Sequence, residues 1–176
     1  KKAWDVSPHP DLAAAYAAIE RAAEAQARLK RFIWLTNGQA KHAESRMLMA
    51  ELHMANEDFP GARRALGDLL ETDPTARSAT LMAAIERGEG AGDTVVKGWL
   101  TRALSLPRGP QWICDNCLHI HAESVPTCDN FHSINTLLWK LQSPLYVSVP
   151  SGLQLMQVLV GSVILNSNDV VIREAA

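Results

Sequence analysis

Apolar and polar residues recur with a helical period through the first hundred residues of the chain. The stretch from Leu12 to Leu35, "LAAAYAAIERAAEAQARLKRFIWL", is rich in strong helix formers and is followed by Asn37-Gly38, a typical helix stop. Asp11 stands before it as a candidate N-cap. The pattern predicts either one long helix or two shorter ones in this region.

From Ala43 onward the pattern predicts a helix hairpin that is closed by Pro74. Its apolar and small positions recur further along the chain with the period of the tetratricopeptide repeat, which is roughly 34 residues. Small residues at these positions would let neighbouring helices approach closely, while larger apolar residues would fill the space between hairpins. The matched pairs are Ala50 with Ala84, Ala62 with Val96, Leu66 with Leu100, and Leu69 with Ala103.

Two positions depart from the usual repeat signature. Arg46 stands where the repeat usually has tryptophan, and Ala50 stands where it usually has glycine. A helical bundle without repeats is therefore the alternative interpretation. The predicted fold class is mainly α, with tetratricopeptide-like helix-hairpin repeats over residues 1–108.

A break separates these helices from the cysteines. "SLPRGP", from Ser105 to Pro110, carries two prolines and a glycine, which end any helix. All three cysteines follow it, between Trp112 and Ser133. Residues 109–140 are predicted to form a small zinc-ribbon or rubredoxin-like module with short β-strands, and Trp112 and Trp139 are expected to supply its miniature core.

The cysteine spacing predicts two metal-binding turns, of which only the first has both of its cysteines. Cys114-x2-Cys117 has the spacing of a turn in which two thiolates converge and backbone amides face the sulfurs. Cys128 could be the second member of the other turn, which puts the missing ligand at Val125, or the first member, which puts it at Phe131. The frame that puts the missing ligand at Val125 is favoured, because "VPTC" has the proline that commonly follows the first cysteine of such a turn.

Because the residue at the missing position cannot ligate, the sequence allows three outcomes: the metal site is lost, its fourth position stays open to water, or a histidine replaces the thiolate. His132 lies four positions after Cys128, and His121 lies four before Val125. Three cysteines and one histidine are an ordinary zinc set, although two reduced core thiols would also explain a single CxxC. The predicted metal ligands, for zinc or alternatively iron, are Cys114, Cys117, Cys128 and His132.

Composition narrows the classes of function. The chain has 176 residues, of which 47% are hydrophobic and 20% charged, so it belongs with globular proteins. A net charge of −2 provides no electrostatic basis for nucleic-acid binding. An odd number of cysteines within one short segment favours metal thiolates in a reducing compartment over a disulfide framework. No catalytic constellation is recognisable, which predicts a non-enzymatic protein.

The last segment, residues 141–176, is apolar. No charged residue occurs from Leu141 to Asn168, but Gln154 and Gln157 interrupt the apolar run, which is too short to span a bilayer. Its β-branched content predicts short strands that pack on the ribbon or the repeats, with a packing helix as the alternative.

Three segments together resemble a known family. They are "KKAWDVSPHPDLAAAY", "HAESRMLMAELHMANEDFPGARRAL" and "GPQWICDNCLHIHAESVPTCDNFHSINTLLWK", and they are similar to the C-terminal half of the HemY-like tetratricopeptide proteins of proteobacteria. The match covers about residues 1–140. The resemblance implies a scaffold on the cytoplasmic side of the inner membrane, anchored by preceding transmembrane helices and associated with enzymes of late haem biosynthesis. It also implies that Cys114, Cys117 and Cys128 are metal ligands.

The architecture is compatible with two other functions. A similar ribbon follows such repeats in LapB, a membrane-tethered adaptor that regulates lipopolysaccharide synthesis. A rubredoxin-like protein that handles a metal or electrons is the other alternative, since it would use the same cysteines.

Overall fold

The computed structural model describes residues 1–141, so the strands predicted beyond Leu141 lie outside the described residues. It is mainly helical and has a small three-stranded sheet, which confirms the predicted fold class at that level. The helices are α1 (Lys2–Val6), α2 (Pro10–Ala18), α3 (Ala25–Thr36), α4 (Ala43–Ala55), α5 (Phe59–Leu66), α6 (Leu69–Thr72), α7 (Ala76–Gly88) and α8 (Asp93–Ser105). The strands are β1 (Gln111–Cys114), β2 (Ile120–His121) and β3 (Leu137–Lys140).

The N-terminal stretch forms two helices, α2 and α3. His9, not Asp11, is the N-cap of α2, because Pro10 takes the first helical position and its fixed φ suits the helix start. The two helices share an apolar core with α1 and α4, in which the indole Nε1 of Trp4 donates a hydrogen bond to Ser45 Oγ at 3.1 Å. The buried residues of this core are Trp4, Ala13, Phe32, Leu35, Leu48 and Leu52.

Two helix hairpins, α4–α5 and α7–α8, follow. Each hairpin has a defined cap: Asp58 accepts from the Gly61 N–H at the start of α5, and Thr75 forms a capping box with Ser78 at the start of α7. Arg46, at the usual tryptophan position of the repeat, donates to the carbonyls of Ala65 and Leu66. Its positive charge therefore lies at the C-terminal end of α5, where the helix dipole favours a cation.

The two hairpins are not related by one uniform shift along the chain. Between α5 and α8 the helix starts keep the predicted shift, and the expected pairs of Ala62 with Val96 and of Leu69 with Ala103 are buried. The pair of Leu66 with Leu100 is wrong, because Leu66 is fully buried and Leu100 is 44% exposed. Between α4 and α7 the shift is one position shorter, because the loop of the second hairpin is one position longer than that of the first. The counterpart of Ala50 is therefore Ala83, which is 2% exposed. Ala84, which the sequence pattern had placed there, is exposed, so that assignment is wrong.

An ion-pair network links the two hairpins. The guanidinium of Arg77 on α7 lies 2.6 Å from Glu44 Oε1 and 2.8 Å from Glu51 Oε1, both on α4. The side chain of Glu44 is only 7% exposed, so this carboxylate depends on Arg77 for compensation of its charge.

The ribbon contacts the helical region at α2 and at the residue before it. Its sheet has the antiparallel order β2-β1-β3, with Trp112 opposite both His121 and Trp139. Trp112 Nε1 donates to Asp11 Oδ2 at 2.8 Å, and the two tryptophan rings pack with His9. The tryptophans therefore lie between the ribbon and α2, and residues 1–141 belong to one compact unit.

Candidate metal centre and groove

The fold brings the three cysteines together. Their sulfur atoms all lie within 4.8 Å of one another, and Cys117 Sγ is 3.5 Å from Cys128 Sγ. None of them is in a disulfide. Three thiolates bound tetrahedrally to zinc, each about 2.3 Å from the ion, would be about 3.8 Å apart, so the cluster fits such a metal with little movement.

The first cysteine turn follows strand β1. The Cys114 N–H donates to the His119 carbonyl at 2.9 Å, and the Leu118 N–H donates to the Cys114 carbonyl at 2.8 Å. Leu118 has a positive φ of 60°, which closes the turn. The backbone amides of Asn116 and Cys117 donate to the sulfur of Cys114, as is typical of a turn that holds thiolate ligands.

The second turn, from Cys128 to Ser133, repeats this arrangement. The Cys128 N–H donates to the Ser133 carbonyl at 2.9 Å, and the His132 N–H donates to the Cys128 carbonyl at 2.7 Å. His132 has a φ of 53°, and the amides of Asn130 and Phe131 donate to the sulfur of Cys128. A β-bridge flanks each turn in the same way, joining Thr127 to Ile134 here and Ile113 to Ile120 in the first turn.

Cys128 is therefore the first member of its turn, and Phe131 occupies the position that corresponds to Cys117. The frame that put the missing ligand at Val125 is wrong. A short sequence repeat indicates the correct frame, since "CDNC" at 114–117 matches "CDNF" at 128–131. The proline of "VPTC" favoured the other frame.

The proposed fourth ligand is not among the converging groups. His132 is exposed and stands where Leu118 stands in the first turn, one position beyond the ligand. Its role as a ligand stays a prediction. His121 is buried, with Nδ1 3.6 Å from Asp129 Oδ2, and it too lies outside the three-sulfur cluster.

The two buried cysteines differ in acidity. The hydroxyl of Thr136, 3.2 Å from Cys114 Sγ, together with the two backbone amides, outweighs burial and lowers the pKa of Cys114 to about 6. Burial dominates at Cys128 and raises its pKa, although two amides oppose this. Cys114 therefore offers a thiolate near neutral pH, while a metal must displace the proton of Cys128.

A groove lies on the helical part of the unit, with a cavity volume of about 290 Å³. Helices α2, α3, α4 and α7 contribute its walls, which combine an apolar surface with four charged groups. The apolar lining includes Ala13, Ala14, Ala17, Phe32, Leu48 and Leu52, and the charged residues are Arg28, Glu44, Glu51 and Arg77.

Comparison with known proteins finds no matching family model, no similar curated protein and no similar solved structure. Among the helices of residues 1–141, none is long and apolar enough to cross a membrane.

Proposed function

We propose that this chain is a non-catalytic scaffold that binds a segment of another protein in the groove along α2, α3, α4 and α7. A metal held by Cys114, Cys117 and Cys128 stabilises the ribbon, and the ribbon in turn supports α2, which forms one wall of the groove. The function is protein interaction, since the groove offers binding surface and no arrangement of nucleophile, base and oxyanion donors is present among the described residues.

The charge pattern of the groove carries this proposal. Arg77 is paired with both Glu44 and Glu51, a group of three that carries one net negative charge, whereas among residues 1–141 Arg28 donates to the backbone carbonyls of Arg21 and Ala23 and to no carboxylate. Within residues 1–141, no carboxylate lies within salt-bridge distance of Arg28. An apolar wall beside a guanidinium without an acidic partner suits a segment that has apolar side chains and one carboxylate.

The contact between ribbon and helices supports the role of the metal. Trp112 Nε1 donates to Asp11 Oδ2 in the first turn of α2, and Pro10, Ala13 and Ala14 of the same helix line the groove. A ribbon that holds its metal keeps Trp112 in place, because β1 carries both Trp112 and Cys114. Loss of the metal would therefore disturb the groove wall, because one hydrogen bond and two aromatic contacts connect the ribbon to α2 and to His9.

The resemblance to the HemY-like proteins supplies the candidate partners, namely inner-membrane enzymes of late haem biosynthesis. On this proposal the chain works at the cytoplasmic side of that membrane. A LapB-like adaptor would use the same groove for proteins of envelope lipid synthesis, so the identity of the bound proteins separates the two.

Site-specific crosslinking in cells tests the groove. A photoreactive amino acid at Ala14, an exposed position that lines the groove, should capture specific proteins, and the same amino acid at Thr94 on α8 should not. Arg28→Glu should abolish the products at Ala14 by repelling the carboxylate. The matched control is Arg87→Glu, which reverses an exposed charge on α7 away from the groove lining.

Identical products from Ala14 and Thr94, or products at Ala14 that survive Arg28→Glu, would refute the groove as the binding surface. Mass spectrometry of the captured proteins distinguishes haem enzymes from envelope lipid enzymes.

The cysteine cluster favours a second candidate function, that of a rubredoxin-like metal or redox protein. Purified protein that contains one equivalent of zinc and is colourless supports the scaffold. A visible iron-thiolate spectrum from the purified protein would favour the redox function instead, because iron thiolates absorb in the visible and zinc does not.

A further inference from the structure

The candidate metal centre has three thiols, and the sequence contains no fourth cysteine. The histidines closest to the cysteines in sequence are His119, His121 and His132. Among residues 1–141, no imidazole or carboxylate joins the three sulfurs within 4.8 Å.

The equivalence of the two turns identifies the fourth position. Phe131 stands where Cys117 stands in the first turn, and its backbone amide still donates to the sulfur of Cys128. Phe131 is 62% exposed. If Phe131 belonged to an apolar core that takes the place of the metal, its side chain would be buried. The exposed side chain therefore neither ligates a metal nor fills the site.

His132 is poorly placed to compensate. It corresponds to Leu118, whose side chain has no part in the first turn's pair of ligands, and both residues have the same left-handed backbone conformation. His121 lies on β2, with its Nδ1 3.6 Å from Asp129 Oδ2, and neither of its ring nitrogens joins the three sulfurs within 4.8 Å.

We propose that the fourth coordination position, beside Phe131, binds an exchangeable ligand, and that its preferred class is a small thiol bound as thiolate. This rests on metal binding by Cys114, Cys117 and Cys128, as in the proposed function. The bound metal exchanges water for the thiol: the S–H proton passes to solvent, a metal–sulfur bond forms, the metal–oxygen bond breaks and no atom changes oxidation state. Protein sites with three ligands and an open position exchange ligands in this way, and soft thiolates suit a site already rich in sulfur.

Cobalt(II) makes the coordination visible, because its thiolate charge-transfer absorption grows with the number of bound sulfurs. The cobalt-loaded full chain is titrated with 2-mercaptoethanol, and with ethanol as the matched ligand that lacks sulfur. We expect a saturable rise in charge-transfer absorption of about one third with the thiol, as three thiolates become four, and no change with ethanol. His132→Ala should respond as the wild type does.

Phe131→Cys is the closed-site control. It should show the higher absorption before any thiol is added and should not respond to the titration, because the chain itself now supplies the fourth thiolate. A Phe131→Cys protein that responds as strongly as the wild type would overturn the assignment of the open position to residue 131.

A wild-type protein that ignores the thiol, while His132→Ala or His121→Ala responds to it, would show that a histidine fills the fourth position and would overturn the proposal. Failure of the wild type to bind cobalt at all would overturn the metal site itself. The groove would remain testable by crosslinking at Ala14, so failure of this inference and failure of the proposed scaffold are distinguishable.

Discussion

Removal of the Arg77 guanidinium should destabilise the contact between the two hairpins. Arg77→Met keeps most of the aliphatic stem but leaves the carboxylate of Glu44, which is 7% exposed, without its ion-pair partner. Loss of one partner of a fully buried pair costs about 3–5 kcal/mol. Arg77 is itself one-third exposed, so water can reach the site and the expected cost is about 2–3 kcal/mol.

Urea denaturation followed by circular dichroism measures this loss in the free energy of unfolding. Arg87→Met is the matched control, because the pair of Arg87 with Asp93 is exposed on both sides and should cost at most about 1 kcal/mol. The double variant Arg77→Met with Glu44→Gln should lose less free energy of unfolding than the two single variants lose together, because glutamine leaves no buried charge. Equal losses for Arg77→Met and Arg87→Met, or an additive double variant, would refute the reasoning.

Three further predictions concern packing, metal and capping. Ala62→Leu should cost about 1–3 kcal/mol by overpacking a fully buried helix contact, whereas Ala84→Leu at an exposed position should leave the melting temperature nearly unchanged. Metal chelation under reducing conditions should raise amide hydrogen exchange over residues 112–139 while the core of α4 and α5 stays protected; uniform exchange would contradict this. Asp58→Ala should destabilise the chain at neutral pH through loss of the α5 cap. Because the Gly61 amide, aided by His53, lowers the pKa of Asp58, the difference from the wild type should shrink as pH falls through that lowered pKa; a gap unchanged by acid would refute it.

The helices could be predicted from the sequence because their signals are local. The run of helix formers after Pro10 and the prolines before Gln111 mark where helices begin and end without reference to distant residues. The burial of Ala50 and Ala62 also followed from spacing, since a helix presents one face to its neighbour. The tetratricopeptide identity of the hairpins stays a prediction.

The assignment of Ala84 as the counterpart of Ala50 failed because it depended on where a single residue is inserted. A uniform shift between the hairpins carried Ala50 onto Ala84, but the extra loop residue of the second hairpin moves the buried position to Ala83. The frame of the second cysteine turn failed for a different reason, because spacing alone allows Cys128 to be either member of its turn. One proline favoured Val125, whereas the backbone hydrogen bonds of Cys128 place Phe131 at the missing ligand position.

By itself, the sequence determined the helical first part, the break before the ribbon, and the cysteines that form the cluster, because each depends on neighbouring residues or on short spacing. The tertiary structure alone decided which partners these elements meet. The hydrogen bond from Trp112 to Asp11 joins residues far apart in the chain, and the packing of His9 with Trp112 and Trp139 joins the same two regions. Such contacts form only when the ribbon docks on α2, and no local pattern encodes the relative placement of two separately folded elements.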